Sequence, residues 1–471
     1  MKLYKKFRDS SLDISPVGLW TGPDRSTSVY TPSGARIVAW TGDDSTHFCQ
    51  VEGFGGMVFV VDPKAPPGDC IHPVAKSLLD LIGLLTECYH SSLICNAYRW
   101  SRTLFQQRSG IVRPDYKARS VLRALENTYH PPKISDPYGY IIQIQKDFDY
   151  DALPLHPDYF EWCPIRPGGS RWDVGFGTGF ADWCEKKDAG QELTLRRSFQ
   201  WHKEEWTIPA VYLCEDGIVI DSYLEVPLDT MARFHKKWGD KDPSVLSIEE
   251  QMRRTLDDPL AVDAKGGLFV NGKPAPLRKS AIIRWDPTLE NPWNARRTLE
   301  HYGLDPDKGY LLRRESFLRR GKNPPIRSIE LRLEAAPVSV PGQRFIAPRP
   351  GENMEFIHPV TGQVHTLTVI SQTREALDPN FLSDHPCCYT RLTFSLEPQL
   401  SRDMFSIVDH DPGDPFPNGP NTYASAFLTG KIPSAGHFAV SSLRYTPADL
   451  ITWRMIFRQK LRQDLSVPIL P

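Results

Sequence analysis

The chain has 471 residues, of which 40% are hydrophobic and 24% charged, and its 56 basic side chains nearly cancel its 57 acidic ones. This composition excludes an intrinsically disordered chain, and the balanced charge gives no global field that would attract nucleic acid or an anionic membrane. A chain this long exceeds what one hydrophobic core usually serves, so we expect about three domains.

The first residues, MKLYKKFRDSSLD, begin with basic side chains as a secretory signal does, but no apolar run follows them. We therefore expect a mature cytoplasmic N-terminus. The longest apolar stretches, residues 57 to 61 and 78 to 85, are too short to span a bilayer, so we expect no membrane partner. The nine cysteines form no CxxC pair, which favours reduced thiols over disulfides.

Residues 1 to 132 have the pattern of an α+β domain. Alternating apolar and polar residues between 37 and 61 predict two or three strands. Pro73 is typical of the first turn of a helix, and the apolar residues that follow it up to Leu85 recur at helical spacing. We therefore expect a helix here. Further helical spacing between residues 93 and 125 stops before Pro131, where we place the end of the first domain.

Residues 133 to 285 predict a β-rich domain with covering helices. The predicted strands are residues 138 to 144, 193 to 199, 207 to 214 and 218 to 226. A Glu-Asp-Gly turn ending at Gly217 predicts a hairpin between the last two of these strands. Residues 228 to 238 predict a helix, and Ser247 with Glu250 forms a capping box for another.

Residues 286 to 471 predict a second β-rich domain. It opens with a short helix between Pro292 and Gly303, and strands follow at residues 310 to 317, 328 to 333, 366 to 369 and 389 to 396. At its end, Thr446 as a cap and an apolar face predict an amphipathic helix. That face consists of Leu450, Trp453, Phe457 and Leu461. The fold class predicted is thus α+β and multidomain, an α+β domain followed by two β-rich domains and a C-terminal helix.

The last quarter of the chain concentrates side chains that bind metals. A strand, turn, strand pattern around Gly362 would bring His358 and His365 together, and neutral imidazoles bind zinc, iron or nickel well. His410 is the third predicted ligand, with Asp411 or Asp414 as the base of a metal-dependent reaction. The alternative is that both hairpin histidines only form hydrogen bonds with the backbone. The sequence leaves both interpretations open, and it specifies no cofactor.

One basic patch stands out between Arg313 and Arg332, where arginines and a lysine outnumber the acidic residues. Phosphate or nucleic acid could bind such a patch. Phe317 is the only aromatic residue among the charges, whereas single-strand binding usually requires several. A solvated strand face is the simpler interpretation, which argues against a nucleic-acid partner.

Two stretches resemble known families. IVAWTGDDSTHFCQV, MVFVVDP and IHPVAKSLLDLIGLL, within residues 37 to 85, resemble the SUKH superfamily, whose members include bacterial toxin-immunity proteins. That resemblance implies partner binding and no catalytic residues. FIHPVTGQVHTLTV and HFAVSSLRYTPADLITWRMIFRQKL, at residues 356 to 369 and 437 to 461, resemble a family of uncharacterised bacterial cytoplasmic proteins that would cover the C-terminal two thirds of the chain. That resemblance implies a bacterial protein and transfers no function.

Two functional hypotheses follow from the sequence. The first is a non-enzymatic, cytoplasmic binding protein with a protein or peptide partner, because no strong catalytic motif is present. The second is a metal-dependent, hydrolase-like enzyme that uses the His358, His365 and His410 cluster. The sequence does not decide between an enzyme and a binding protein.

Overall fold

A computed structural model describes most of the chain. The described residues are 2–21, 28–42, 45–169, 172–182, 184–262, 264–319, 325–376, 387–401, 403–410, 437–446 and 448–470. They form two compact units. Unit 1 comprises Met1–Phe199, Glu205–Leu228 and Pro276–Pro324, and unit 2 comprises Gln200–Glu204, Asp229–Ala275 and Pro325–Pro471. The fold is α+β and consistent with a multidomain chain, while the division at residues 132 and 285 stays a prediction.

Unit 1 begins with an antiparallel sheet in the order β1-β2-β3-β4. Its strands are β1 Arg36–Trp40, β2 His47–Gln50, β3 Val58–Val61 and β4 Ile71–Ala75. The predicted strands between residues 37 and 61 are therefore confirmed. Pro73 lies in β4 and not in a helix, and this position is tolerated because β4 is an edge strand.

Seven helices follow or flank this sheet among the described residues of the N-terminal segment. They are α1 Lys2–Arg8, α2 Leu78–Cys88, α3 Ser91–Asn96, α4 Arg102–Ile111, α5 Tyr116–Tyr129, α6 Pro137–Asp147 and α7 Tyr159–Trp162. The strand predicted at residues 138 to 144 was wrong, because this segment forms α6. Asp136 caps that helix by accepting a hydrogen bond from the Gly139 N–H, and Pro137 occupies its first turn.

The second sheet of unit 1 has the order β10-β11-β7-β6-β5. Its strands are β5 Gln191–Trp201, β6 Glu204–Leu213, β7 Gly217–Val226, β10 Leu277–Trp285 and β11 Gly309–Leu318. The predicted hairpin at Gly217 is confirmed by the antiparallel pairing of β6 with β7. Helix α10, Trp293–Tyr302, packs on this sheet through Ala295 and Leu299 and ends at Gly303, as predicted.

Unit 2 contains two helices and three antiparallel sheets among its described residues. Helix α8, Leu228–Trp238, and helix α9, Ile248–Asp257, match the prediction, and both halves of the Ser247–Glu250 capping box are present. The sheets have the orders β20-β12-β8-β9, β13-β19-β17 and β14-β15-β16-β18. Their strands are β8 Ala264–Val270, β9 Lys273–Ala275, β12 Ile329–Ala335, β13 Val338–Ile346, β14 Asn353–Ile357, β15 Val364–Ala376, β16 Cys388–Glu397, β17 Phe405–Asp409, β18 His437–Val440, β19 Thr452–Gln459 and β20 Leu465–Leu470.

The predicted C-terminal amphipathic helix was wrong, since its residues form strand β19 in the middle of a sheet. Trp453 and Phe457 are fully buried, but Leu450 and Leu461 are 64% and 39% exposed, so the predicted apolar face does not exist. Ile451, Trp453, Met455 and Phe457 instead alternate into the core of unit 2. Every helix in the described ranges is too short or too polar to cross a membrane.

Candidate functional site

The predicted metal ligands lie in unit 2. His358 follows β14 and His365 lies in β15, and the turn between them places their ring centroids 6.2 Å apart. Both are almost fully buried, with 5% and 1% exposed. The hairpin thus brings the two imidazoles together as its sequence indicates. Asp411 and Asp414 lie outside the described residues.

One ring nitrogen of each hairpin histidine forms hydrogen bonds with the backbone. His358 Nδ1 lies 3.2 Å from both the Val360 and the Thr361 amide nitrogens and accepts from them, and His365 Nδ1 lies 2.8 Å from the Pro398 carbonyl oxygen. Donation to this carbonyl leaves the lone pair of His365 on Nε2, which is buried and has no hydrogen-bond partner among the described residues. Burial lowers the pKa of His358, and the neighbouring His365 adds to this effect.

His410 stands in a different environment. Its Nδ1 accepts a hydrogen bond from Arg454 Nε at 3.3 Å, and Arg454 Nη2 forms an ion pair with Glu249 at 2.6 Å. Considering only the described residues, no three His, Cys, Asp or Glu side chains lie close enough together to share a metal ion. The metal assignment to His358, His365 and His410 stays a prediction.

The basic patch does not form one solvated face. Arg313 and Arg314 are only 1% and 2% exposed. Arg313 pairs with Glu315 at 2.8 Å, and the exposed Arg332 pairs with Glu330 at 2.8 Å. The arginines at the start and end of the patch are therefore neutralised by carboxylates, which weakens the case for a phosphate or nucleic-acid partner there.

A pocket of about 550 Å³ in unit 1 collects polar groups that the sequence did not connect. Its walls come from the loop before β4, from β4 itself, from the segment after α3, from α6, from residues 165 to 169 and from α10. Two glycines hold these walls close together. Gly168 N–H donates to the Gly68 carbonyl at 2.8 Å, and both residues adopt left-handed φ values, of 65° and 91°. A Cβ at Gly168 would overlap the Tyr150 ring, so only glycine fits there.

His72 and Asp69 form the chemical centre of this pocket. His72 Nε2 lies 3.9 Å from Asp69 Oδ1, while Nδ1 lies 3.0 Å from the Tyr150 hydroxyl. The Tyr98 ring stacks on the imidazole with centroids 4.3 Å apart. Burial lowers the pKa of His72 to about 3. A hydrogen bond with the Asp69 backbone opposes this shift and the positive charge of Arg296 adds to it, so the imidazole is neutral at pH 7.

The pKa of the Asp69 carboxyl group lies close to neutral pH, so about half of these groups carry a proton at pH 7. Its side chain is 42% exposed, yet the protein atoms around the carboxyl group remove part of its hydration, and this desolvation raises its pKa to about 7. Glu300 adds to the rise, whereas Arg296 and Arg297 oppose it. A carboxyl group with such a pKa can both accept and donate a proton near neutral pH.

Cationic side chains form the other part of the pocket. Arg296 Nε lies 2.7 Å from Glu300 Oε1 and its Nη1 donates to the Trp100 carbonyl, which fixes the guanidinium on α10. The Arg297 guanidinium lies over Trp293, 5.3 Å from the ring centroid. Arg99 and Lys146 line the pocket as well and are exposed. We call Arg99, Lys146, Arg296 and Arg297 the cationic wall.

Sequence reasoning missed this pocket because its residues come from segments separated by more than two hundred positions. The available signals were local and weak: Asp69 and His72 stand three residues apart after Pro66-Pro67-Gly68, and Arg296 and Arg297 are adjacent. Neither spacing specifies a chemistry without the fold. No protein-family model, curated protein or solved structure matches this chain. The two family resemblances stay predictions.

Proposed function

We propose that unit 1 binds a small organic anion in this pocket. The observation that carries the proposal is the charge of the described lining residues, which include the four members of the cationic wall but only two carboxylates, Asp69 and Glu300. A concave surface lined mainly by one sign of charge concentrates ligands of the opposite sign. Guanidinium groups also match the geometry of carboxylates and phosphates.

The size and the remaining lining favour an organic ligand over an inorganic ion. A volume of about 550 Å³ lies within the range of about 300 to 1,000 Å³ that is typical of small-molecule sites. Pro66, Ile142 and Trp293 add apolar surface that can cover a carbon skeleton. The expected ligand therefore carries one or more acidic groups on a small carbon frame.

The test is a binding measurement on the full chain. Isothermal titration calorimetry with mono-, di- and tricarboxylates and with phosphate monoesters should identify at least one ligand. Its neutral amide or alcohol analogue should bind more weakly by about tenfold or more, because a charge-assisted hydrogen bond contributes about 1.5 to 3 kcal/mol.

Matched variants locate the ligand. Lys146→Gln and Arg99→Gln remove exposed charges of the pocket, and we expect each to weaken binding of the same anion. Lys117→Gln and Arg113→Gln remove exposed charges on or near α5 and should leave binding unchanged. Equal effects in both sets, or no binding by any anion in the panel, would refute the proposal.

The two hypotheses from the sequence are separate proposals. A protein or peptide partner stays a prediction. The metal-dependent hydrolase also stays a prediction, because its base, Asp411 or Asp414, lies outside the described residues.

A further inference from the structure

Three arginines of unit 2 surround a single carboxylate. Glu249 of helix α9 accepts a hydrogen bond from Arg344 Nη2 of β13 at 2.8 Å and one from Arg454 Nη2 of β19 at 2.6 Å. Arg253, one turn further along α9, places its Nη2 2.5 Å from the other Glu249 oxygen. All three guanidinium groups therefore lie within hydrogen-bond distance of one side chain. We call Glu249, Arg253, Arg344 and Arg454 the arginine cluster.

The arginine cluster carries more positive than negative charge. Arg344 and Arg454 stand directly opposite each other on neighbouring strands, a position in which like charges destabilise a sheet. The hydrogen bond from Arg344 lowers the pKa of Glu249, the charges of Arg454 and Arg253 add to this effect, and burial opposes it only in part, so the carboxylate is ionised at pH 7. His410 accepts a hydrogen bond from Arg454 at Nδ1, so its imidazole is neutral there and adds no charge. One negative charge thus faces three positive charges, which leaves a net charge of about +2.

Two of the three arginines are open to solvent. The side chains of Arg253 and Arg344 are 60% and 55% exposed, whereas those of Glu249 and Arg454 are 12% and 3% exposed. A guanidinium group carries five N–H donors, and among the described residues only the Nη2 of each exposed arginine contacts an acceptor. Arg253 and Arg344 therefore have donors left for a ligand, and the buried Glu249–Arg454 pair between them fixes their positions.

A phosphate monoester matches the arginine cluster in charge and in geometry. It carries a charge of about −1.5 to −2 at pH 7, close in size to the net charge of the cluster, whereas a carboxylate or a sulfate ester carries only one negative charge. Its oxygens also accept paired hydrogen bonds from guanidinium groups. We propose that unit 2 binds a phosphate monoester group through Arg253 and Arg344, which the Glu249–Arg454 pair holds in place. This site goes beyond the proposed function, because it lies in unit 2 and the pocket lies in unit 1.

The test is isothermal titration calorimetry of the full chain with phenyl phosphate and phenyl sulfate. These probes have nearly the same shape and differ mainly in charge, so the positive cluster should bind phenyl phosphate tighter by about threefold or more. N-acetylphosphoserine amide and a pentapeptide with phosphoserine between glycines extend the series. Tighter binding of the peptide identifies a phosphorylated chain as the source of the group, equal binding identifies a free monoester, and either result supports the site.

Variants with similar exposure locate the phosphate. Arg253→Gln and Arg344→Gln each remove one exposed guanidinium group, and we expect each to weaken phenyl phosphate binding by about three- to tenfold, because solvent screening limits what a half-exposed charge contributes. Arg374→Gln is the control, since Arg374 is 54% exposed and pairs with one carboxylate, that of Asp449, at 3.2 Å. It should bind phenyl phosphate as the wild type does. Melting temperatures of all variants show whether each one is folded.

Differences between these samples report the arginine cluster alone, because phenyl phosphate bound in the pocket of unit 1 contributes equally to all of them. Weaker binding in Arg253→Gln and Arg344→Gln, with unchanged binding in Arg374→Gln, supports the inference. Unchanged binding in both cluster variants, or an equal loss in Arg374→Gln, would overturn it and leave the proposed function standing. Equal affinity for phenyl sulfate, or no binding of phenyl phosphate by the wild type, would overturn it as well.

Discussion

Arg314 and Asp221 form a bidentate ion pair inside unit 1, with Nε to Oδ1 at 2.8 Å and Nη2 to Oδ2 at 2.7 Å. They stand directly opposite each other on β11 and β7, and each side chain is 2% exposed. The Tyr302 hydroxyl of α10 also donates to Asp221, at 2.6 Å. The hydrogen bond from Tyr302 to Asp221 therefore links helix α10, whose arginines contribute to the pocket, to the sheet that carries the ion pair.

Breaking this pair should be costly. Asp221→Asn leaves the Arg314 charge buried without its counter-ion, so we expect the free energy of unfolding to fall by about 3 to 5 kcal/mol. Glu185→Gln breaks the exposed Lys187–Glu185 pair, which has a similar distance of 2.8 Å, and should change stability by less than about 1 kcal/mol. Urea denaturation of both variants measures the difference, and equal effects would contradict the role of burial.

His72 should make the protein sensitive to acid. Its pKa is lowered from 6.5 to about 3, so the unfolded chain binds a proton between these pH values and the folded chain does not. This contribution to stability is complete above pH 6.5 and is lost as the pH falls towards 3, by at most about 1.4 kcal/mol per pH unit. Between pH 6.5 and 5 we expect a loss of up to about 2 kcal/mol, which His72→Gln removes.

Asp69 changes the pH dependence of stability in the opposite direction to His72, so the two contributions must be separated in the measurement. Its raised pKa makes its own contribution fall as the pH rises from about 4 to about 7. The difference between wild type and His72→Gln in urea denaturation at each pH is therefore the measure of His72, and not the wild-type curve alone. His156→Gln is the control, because the His156 side chain is 39% exposed. A pH-independent difference between wild type and His72→Gln would disprove the prediction.

Gly168 should be irreplaceable for a steric reason. Gly168 and Gly303 share a φ of 65°, so alanine at either position pays a similar backbone strain of about 1 to 2 kcal/mol. A Cβ at Gly303 meets no atom within 4 Å, whereas one at Gly168 overlaps the Tyr150 ring. We expect Gly168→Ala to be more destabilising than Gly303→Ala by about 1 to 3 kcal/mol in urea denaturation. Similar losses would show that Tyr150 moves aside at no cost.

Elements defined by neighbouring residues could be predicted from the sequence. The capping box of Ser247 and Glu250 and the turn at Gly217 each depend on a few adjacent side chains, and both are present in the structure. The strand predicted at residues 138 to 144 was wrong. The aromatic and β-branched residues of this segment favour a strand, but the Asp136 cap and Pro137 start a helix there. The helix-start residues Asp136 and Pro137 thus outweigh the strand propensity of the residues that follow them.

The candidate site could not be predicted, because its residues come together only in the folded chain. Asp69 has an ordinary carboxyl group in the sequence, and only burial in the pocket raises its pKa to about 7. The charged sequence around Arg314 predicts a position on the surface. The fold instead buries Arg314 and pairs it with Asp221, 93 positions away. Local sequence reports neither of these environments.

Strand β19 shows the same limit and supplies a direct test. Trp453 and Leu450 belong to one face of the predicted helix, whereas the structure buries Trp453 completely and leaves Leu450 64% exposed. Trp453→Ala should therefore lower the free energy of unfolding by about 3 to 5 kcal/mol. Leu450→Ala should change it by no more than about 0.5 kcal/mol. Urea denaturation distinguishes the two structures, because a buried helical face containing both residues would make both substitutions strongly destabilising.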